Sequence, residues 1–159
     1  MLYELLGFRD NEFSAGIGWH DRIAAGFPQN ALWALARHLK VPPEDLAELV
    51  QFPKDALDWR NRKEPLSVDA SDVLFRIAVA YHRLFALFKD AEQCTKWMRN
   101  GRKEVQNQIP VLLLTTSAGA TLVYEAIDRI KPVKRVEMST DQPATPEDEE
   151  PSDEASQED

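Results

Sequence analysis

Prolines interrupt a helical apolar pattern in this chain at short intervals. From Gln29 to Leu39 the apolar residues recur every three or four positions, which lines one face of a helix. Pro28, Pro42–Pro43 and Pro53 divide this region. Because proline suits the first turn of a helix but not its interior, each of these positions marks a break. The sequence therefore predicts three short helices joined by tight turns, a pattern typical of a helix-turn-helix unit.

A longer apolar stripe follows and predicts a long helix that begins after the candidate N-cap Ser67 and runs to about Lys89. This stripe is longer than a small N-terminal bundle could cover, so its second half should support another helical unit. We expect that unit to contain a helix from Ala91 to Asn100, a short apolar helix at 111–114, and a last helix that ends before Pro132.

No alternating strand pattern of useful length appears, and we therefore expect an all-α protein. The predicted organisation has four parts. Residues 1–25 form an N-terminal segment without a sustained period, and residues 26–66 form the helix-turn-helix unit. Residues 67–136 hold the long helix and the second helical unit, and residues 137–159 form a tail.

The tail dominates the charge of the whole chain. The formal net charge is -8, but from Glu137 to Asp159 there are ten acidic residues and no basic one. The rest of the chain is close to neutral, so the overall charge does not exclude a nucleic-acid partner. The tail holds few apolar residues and several prolines, and we expect it to be disordered.

Cysteine content and hydropathy indicate the compartment. Cys94 is the single cysteine, which makes an intramolecular disulfide impossible, and it falls on a predicted apolar helix face, as a core residue would. The chain has no apolar run long enough to span a membrane, and its first residues lack the features of a signal peptide. We expect a soluble cytoplasmic protein without membrane contact.

No catalytic constellation stands out in the sequence. His20, His38 and His82 are far apart, no Cys/His spacing fits a metal site, and the glycines form no phosphate-binding loop. We therefore expect a binding protein rather than an enzyme, with no cofactor and no metal.

The third predicted short helix, residues 54–63, carries the best binding signal. The second helix of a helix-turn-helix motif enters the major groove, where Lys and Arg contact phosphates and Arg or Asn reads base edges. The alternative is a solvated polar face, and periodicity does not separate the two. The candidate DNA-binding residues are Lys54, Arg60, Asn61, Arg62 and Lys63.

The ordered series of motifs resembles the Xre/MbcA/ParS antitoxin family, from about residue 23 to residue 133. Phe27–Pro28 matches the start of the family's first helix, and Ser71, Asp72 and Leu74 match the start of its long helix. In the C-terminal half the matching residues are Trp97, Pro110, Leu113, Leu114, Thr116 and Gly119.

The resemblance implies an Xre-like helix-turn-helix followed by a C-terminal toxin-binding domain. Family members pair with RES-domain toxins, which degrade NAD, and they repress their own operon as DNA-binding dimers. We thus expect a RES-type toxin, operator DNA and a second copy of the chain as partners. The implied toxin-binding residues are Trp97, Arg102, Leu113, Arg129, Lys131, Val133, Lys134 and Arg135.

The sequence departs from the family pattern in the predicted recognition helix. Trp59 stands where the family commonly has an Arg, next to Asp58, and this predicts weaker phosphate affinity.

Two functions are alternatives to an antitoxin: a stand-alone helix-turn-helix regulator without a toxin, and an adaptor whose helix-turn-helix and tail both contact proteins. The acidic tail could be a solubilising extension, could repel DNA, or could mimic a polyanion near the NAD pocket of the toxin.

Overall fold

A computed structural model describes residues 2–9 and 17–130. Its helices are α1 (Leu2–Leu5), α2 (Gly18–Ala25), α3 (Gln29–Leu39), α4 (Pro43–Leu49), α5 (Val68–Phe88), α6 (Ala91–Arg99), α7 (Pro110–Leu113) and α8 (Ser117–Asp128). Short 3₁₀ turns lie at Lys54–Ala56, Trp59–Asn61 and Lys103–Val105. The described ranges contain no β-strand, which confirms the all-α prediction. The expected disorder of residues 137–159 falls outside the described residues.

The α3–α4 pair forms the two well-defined helices of the predicted helix-turn-helix unit. The apolar stripe of α3 is buried as expected, and α4 turns Leu46 and Ala47 towards it. Between the two helices Lys40 adopts a left-handed conformation and Pro42 precedes the first residue of α4. Pro43 is the first residue of α4, where a backbone N–H would have no partner within the helix, so proline is well suited to this position.

Helix α5 is the long helix that the sequence predicts, and it joins the two halves of the molecule. The hydroxyl of Ser67 accepts a hydrogen bond from the amide of Ala70 and caps its first turn, while Lys89 ends it in a left-handed conformation. The helix contacts α1, α2 and α3, which precede it in the chain, and α6 and α8, which follow it. One continuous apolar cluster therefore runs through both halves.

The N-terminal residues contribute more to the core than their sequence suggests. Leu5, Leu6 and Phe8 are buried although this region has no helical period. The ring of Trp19 lies edge-on to that of Phe8 at 6.1 Å and tilted against that of Phe75 at 5.0 Å. These aromatic contacts attach the N-terminal segment to α5.

Two glycines permit close backbone approaches that hold the helices together. At Gly26, which has a positive φ of 84°, a Cβ would lie 2.3 Å from the carbonyl oxygen of Leu66. At Gly119 a Cβ would lie 2.0 Å from the carbonyl oxygen of Leu113, where α7 meets α8. Any larger side chain would push these segments apart, because real Cβ atoms do not approach an oxygen so closely.

None of the described helices has the length and apolarity that crossing a bilayer requires.

Candidate functional site

The segment predicted as the recognition helix is not a helix. Residues 54–63 form two 3₁₀ turns, Lys54–Ala56 and Trp59–Asn61, and Leu57 and Asp58 between them are extended. Leu57 is half-buried and packs against the core from an extended backbone, whereas Ala56 is exposed, so the two do not form the inward face of a helix. The prediction of a third helix was therefore wrong, although Arg60, Arg62 and Lys63 are exposed as the DNA-binding prediction requires.

Buried hydrogen bonds from Gln29 explain why this segment is irregular. The Gln29 side chain is only 2% exposed. Its Oε1 accepts the backbone N–H of Asp58 at 3.1 Å, and its Nε2 donates to the carbonyl oxygen of Ala56 at 3.2 Å. A continuous helix would use these same backbone groups within its own ladder. The side chain of Asp58 then accepts the N–H of Arg60 at 2.9 Å and starts the second turn.

Backbone hydrogen bonds attach the end of the segment to the start of α3. The N–H groups of Gln29 and Asn30 donate to the carbonyl oxygens of Glu64 at 2.8 Å and Arg62 at 2.7 Å. The first amides of a helix have no partner within it, so the segment satisfies groups that would otherwise need water or a cap. Its position is thus set by tertiary contacts rather than by helical periodicity.

The five candidate DNA-binding side chains do not share one environment. Lys54 Nζ lies 2.9 Å from Glu48 Oε2, and this hydrogen bond and charge raise the pKa of Lys54. Arg60, Asn61, Arg62 and Lys63 are all exposed. Within residues 2–9 and 17–130, none of the three cations among them has a carboxylate oxygen within ion-pair distance. Trp59 stands beside them with 62% of its surface exposed.

The candidate toxin-binding residues are spread over the C-terminal half. Trp97 is a core residue with 5% exposure, and its ring lies 5.7 Å from the guanidinium carbon of Arg102. Arg102 Nε donates to the carbonyl oxygen of Trp97 at 3.2 Å, so these two residues form one unit. Leu113 is half-buried in α7, and Arg129 is exposed just after α8. Lys131, Val133, Lys134 and Arg135 lie outside the described residues.

Two exposed leucines of this half were not among the residues predicted from the sequence to bind the toxin. Leu112 in α7 and Leu122 in α8 are each 53% exposed, on a unit whose other apolar side chains are mostly covered. A signal was available, since Leu122 falls off the buried stripe that includes Val123 and Ala126. Because α7 and α8 are in contact, two large apolar side chains exposed on them are candidates for a surface that binds a partner.

Polar contacts hold α8 on α5. The hydroxyl of Tyr124 donates to the carbonyl oxygen of Arg76 at 3.3 Å, and the guanidinium carbon of Arg83 lies 4.6 Å from the Tyr124 ring centroid. Burial raises the pKa of Tyr124, against the smaller opposing effect of the two arginines. This tyrosine is therefore a neutral hydrogen-bond donor in the native protein.

Within the part of the chain that the structure describes, no group of three His, Cys, Asp or Glu side chains could hold a metal ion. Cys94 is buried on the inner face of α6.

Two described surfaces are therefore candidates for binding a partner: the exposed basic segment near Trp59 and the exposed leucines of α7 and α8.

Comparison with known proteins assigns both surfaces to recognised domains. Residues 18–79 match the antitoxin Xre-like helix-turn-helix domain, and residues 83–131 match the antitoxin Xre/MbcA/ParS C-terminal toxin-binding domain. A relative in Pseudomonas putida, "Antitoxin Xre", is 30% identical over 120 residues, covering 75% of this chain and 74% of its own length. The chain belongs to the Xre/MbcA/ParS antitoxin family.

This membership gives the two halves of the antitoxin their roles. The helix-turn-helix domain ends inside α5, and the toxin-binding domain begins four residues later in the same helix. The basic segment near Trp59 belongs to the first domain, and Trp97, Arg102, Leu112 and Leu122 belong to the second. A toxin and DNA are the partners that such domains imply.

Proposed function

We propose that this chain is a non-enzymatic cytoplasmic antitoxin that binds and neutralises a RES-type, NAD-degrading toxin and represses its own operon as a DNA-binding dimer. The observation that carries the proposal is the toxin-binding domain at residues 83–131, with leucines exposed where a partner could cover them.

Toxin binding would use the exposed surface of α7 and α8, together with residues that follow α8 in the sequence. Leu112 and Leu122 supply apolar anchors. Leu113 lies next to Leu112 in α7, and Arg129 directly follows α8. Trp97 has little surface to offer a partner, so we assign it to holding Arg102 in place. The four predicted residues that follow α8 in the sequence remain proposed contacts: Lys131, Val133, Lys134 and Arg135.

The decisive experiment is growth rescue. The neighbouring candidate toxin is expressed alone and together with the antitoxin, and growth and intracellular NAD are measured in both cultures. We expect growth and NAD to recover and the two proteins to co-purify. Toxicity that persists beside folded, abundant antitoxin would contradict the pairing and would favour the stand-alone helix-turn-helix regulator.

The proposed face is tested by measuring the affinity of the purified toxin for matched leucine and valine variants. Leu122→Ala should weaken toxin binding about tenfold, since the apolar groups that it removes would otherwise be buried at about 0.8 kcal/mol for each CH₂. Val68→Ala is the control, because Val68 is 50% exposed but belongs to the helix-turn-helix domain. Equal toxin affinity for the two variants would show that α8 does not face the toxin.

DNA binding is tested with the DNA upstream of the operon. We expect Arg60, Arg62 and Lys63 to contact mainly phosphates, because their segment is not a helix that could lie deep in the major groove. Arg62→Ala should then lower affinity for all sequences alike and reduce the slope of log K against log salt by about one per subunit. An unchanged slope would remove Arg62 from the DNA interface.

A further inference from the structure

Residues 59–63 form an exposed cationic surface, called here the Trp59 patch. It contains three cations and no acidic residue, and all five side chains are exposed. Within the described ranges, Arg60, Arg62 and Lys63 have no ion-pair partner, whereas Lys54, Arg76, Arg83 and Lys96 all have one. An indole beside unpaired cations suits an anionic partner that also carries some apolar groups.

The backbone presents this patch in a fixed conformation. The carbonyl oxygen of Arg62 accepts the N–H of Asn30, and the side chain of Asp58 accepts the N–H of Arg60. Because these hydrogen bonds hold the backbone of Arg60 and Arg62, three like charges are attached within four positions of an anchored segment and repel one another. A polyanion would relieve that repulsion.

The chain itself contains a polyanion of opposite charge. Residues 137–159 carry ten acidic side chains and no basic one, including four consecutive acids at Glu147–Glu150, and Met138 adds an apolar side chain. The two charged segments lie in one chain, so they meet at an effective concentration of about millimolar, whatever the protein concentration.

The length of the chain beyond α8 allows the contact. Glu147 is seventeen residues after Ile130, the last residue described. A segment of that length can span up to about 56 Å, whereas a folded unit of this size has a radius of gyration of about 14 Å. The extended segment is longer than the folded unit is wide, so its length allows the acidic run to contact the Trp59 patch.

We propose that the acidic segment Glu137–Asp159 docks on the Trp59 patch of its own chain. The individual ion pairs are exposed and weak, so the contact depends on several acting in parallel and is lost at high salt. Its consequence rests on the proposed function: a docked segment occupies the cations that would contact DNA, so the antitoxin binds its operator less tightly than its helix-turn-helix alone would allow.

The contact is tested by ¹H–¹⁵N NMR without DNA or toxin. Spectra of the full chain and of a chain that ends at Val136 are compared at about 0.02 M and 0.5 M salt, conditions that differ several-fold in Debye length. The shorter chain keeps every described residue and lacks only the acidic segment. We expect the Trp59 indole and the amides of residues 59–63 to differ between the two chains at low salt and to coincide at high salt.

Two full-length variants separate this contact from general charge effects. Arg60→Gln, Arg62→Gln and Lys63→Gln together should abolish the spectral effect of the acidic segment. Arg99→Gln with Lys103→Gln, which removes exposed cations at the end of α6 and in the turn after it, should leave the effect intact. Circular dichroism checks that both variants fold.

Three results would overturn the proposal. The first is identical low-salt spectra of residues 59–63 in the full and shortened chains. The second is a difference that maps to residues 99–103 instead. The third is a difference that grows with protein concentration, because the acidic segment of a second copy would then be the occupant.

The DNA consequence is measured separately, as the affinity of both chains for the upstream DNA. Removal of the acidic segment should raise affinity about tenfold or more at low salt and much less at high salt, since screening weakens the competitor. A salt-sensitive contact without DNA binding by either chain would contradict the proposed operator binding and would leave the contact established. The two proposals therefore fail in distinguishable ways.

Discussion

At the scale of single residues, burial decides what Cys94 can do. Its side chain has no exposed surface, and burial, aided by the charge of Asp90, raises the pKa of the thiol to about 11. The thiolate is the nucleophilic form, and at neutral pH it is almost absent. Cys94 therefore acts as a small apolar residue of the core, as its place on the apolar face of α6 predicts.

This assignment predicts slow alkylation of the native protein. At about pH 8 the thiolate fraction should be about 100-fold lower than for an unperturbed cysteine, and burial should slow the reaction further. Iodoacetamide labelling followed by mass spectrometry, in buffer and in urea, measures the ratio. Comparable rates in the two conditions would show that α6 opens readily.

The same pKa gives a direction to the pH dependence of stability. Because the folded pKa lies above the ordinary value of 9.0, the unfolded state loses its proton first as the pH rises. The contribution of Cys94 is complete below about pH 9 and is lost as the pH rises through 11. A Cys94→Ala variant should show a weaker decline of its free energy of unfolding across this range.

At the scale of elements, residues 54–63 show a tertiary contact overriding a helical expectation. The sequence offers Pro53 at the start and a run of polar residues, which are compatible with a helix. Gln29, twenty-seven residues from Ala56, takes the backbone groups that such a helix would need. No local pattern could have revealed this competition.

Substitution of Gln29 tests that explanation. Gln29→Leu keeps the volume but removes the buried hydrogen bonds, and should lower the free energy of unfolding by about 1–3 kcal/mol. It should also speed tryptic cleavage after Arg60, Arg62 and Lys63. Gln93→Leu, at an exposed position of α6, is the control and should stay within about 0.5 kcal/mol of the parent. Equal cleavage of the two variants would count against a role for Gln29 in holding the segment.

At the scale of the whole molecule, the two domains share one core along α5. Arg76 in the middle of this helix links them: Nη1 donates to the carbonyl oxygen of Leu114 at 3.0 Å, and the guanidinium pairs with Asp72. Its own carbonyl oxygen accepts the hydroxyl of Tyr124. A shared helix and shared polar contacts indicate that the domains unfold together.

Arg76→Met tests this coupling, since methionine keeps much of the apolar stem but not the donors. The free energy of unfolding should fall by about 1–3 kcal/mol, with tryptophan fluorescence and far-ultraviolet circular dichroism still giving one coincident urea transition. Arg37→Met, at an exposed position of α3, is the control. Two separate transitions in the parent protein would show that the domains are independent.

The sequence by itself determined the features that depend on near neighbours along the chain. The apolar face of α3, the long helix α5 with its Ser67 cap, and the burial of Cys94 on α6 all follow from periodicity and local hydrogen bonding. The order of motifs also sufficed for the resemblance to the antitoxin family, which the comparisons confirm.

Only the tertiary structure decided which surfaces are available. It placed Phe8 in the core and Trp19 against it without a periodic signal, replaced the expected recognition helix with two 3₁₀ turns, and left Leu112 of the short helix α7 exposed. The physical reason is common to all three. A helix or a stripe depends on residues three or four positions apart, whereas exposure and irregular backbone depend on groups distant in sequence that compete for the same surface or hydrogen bond.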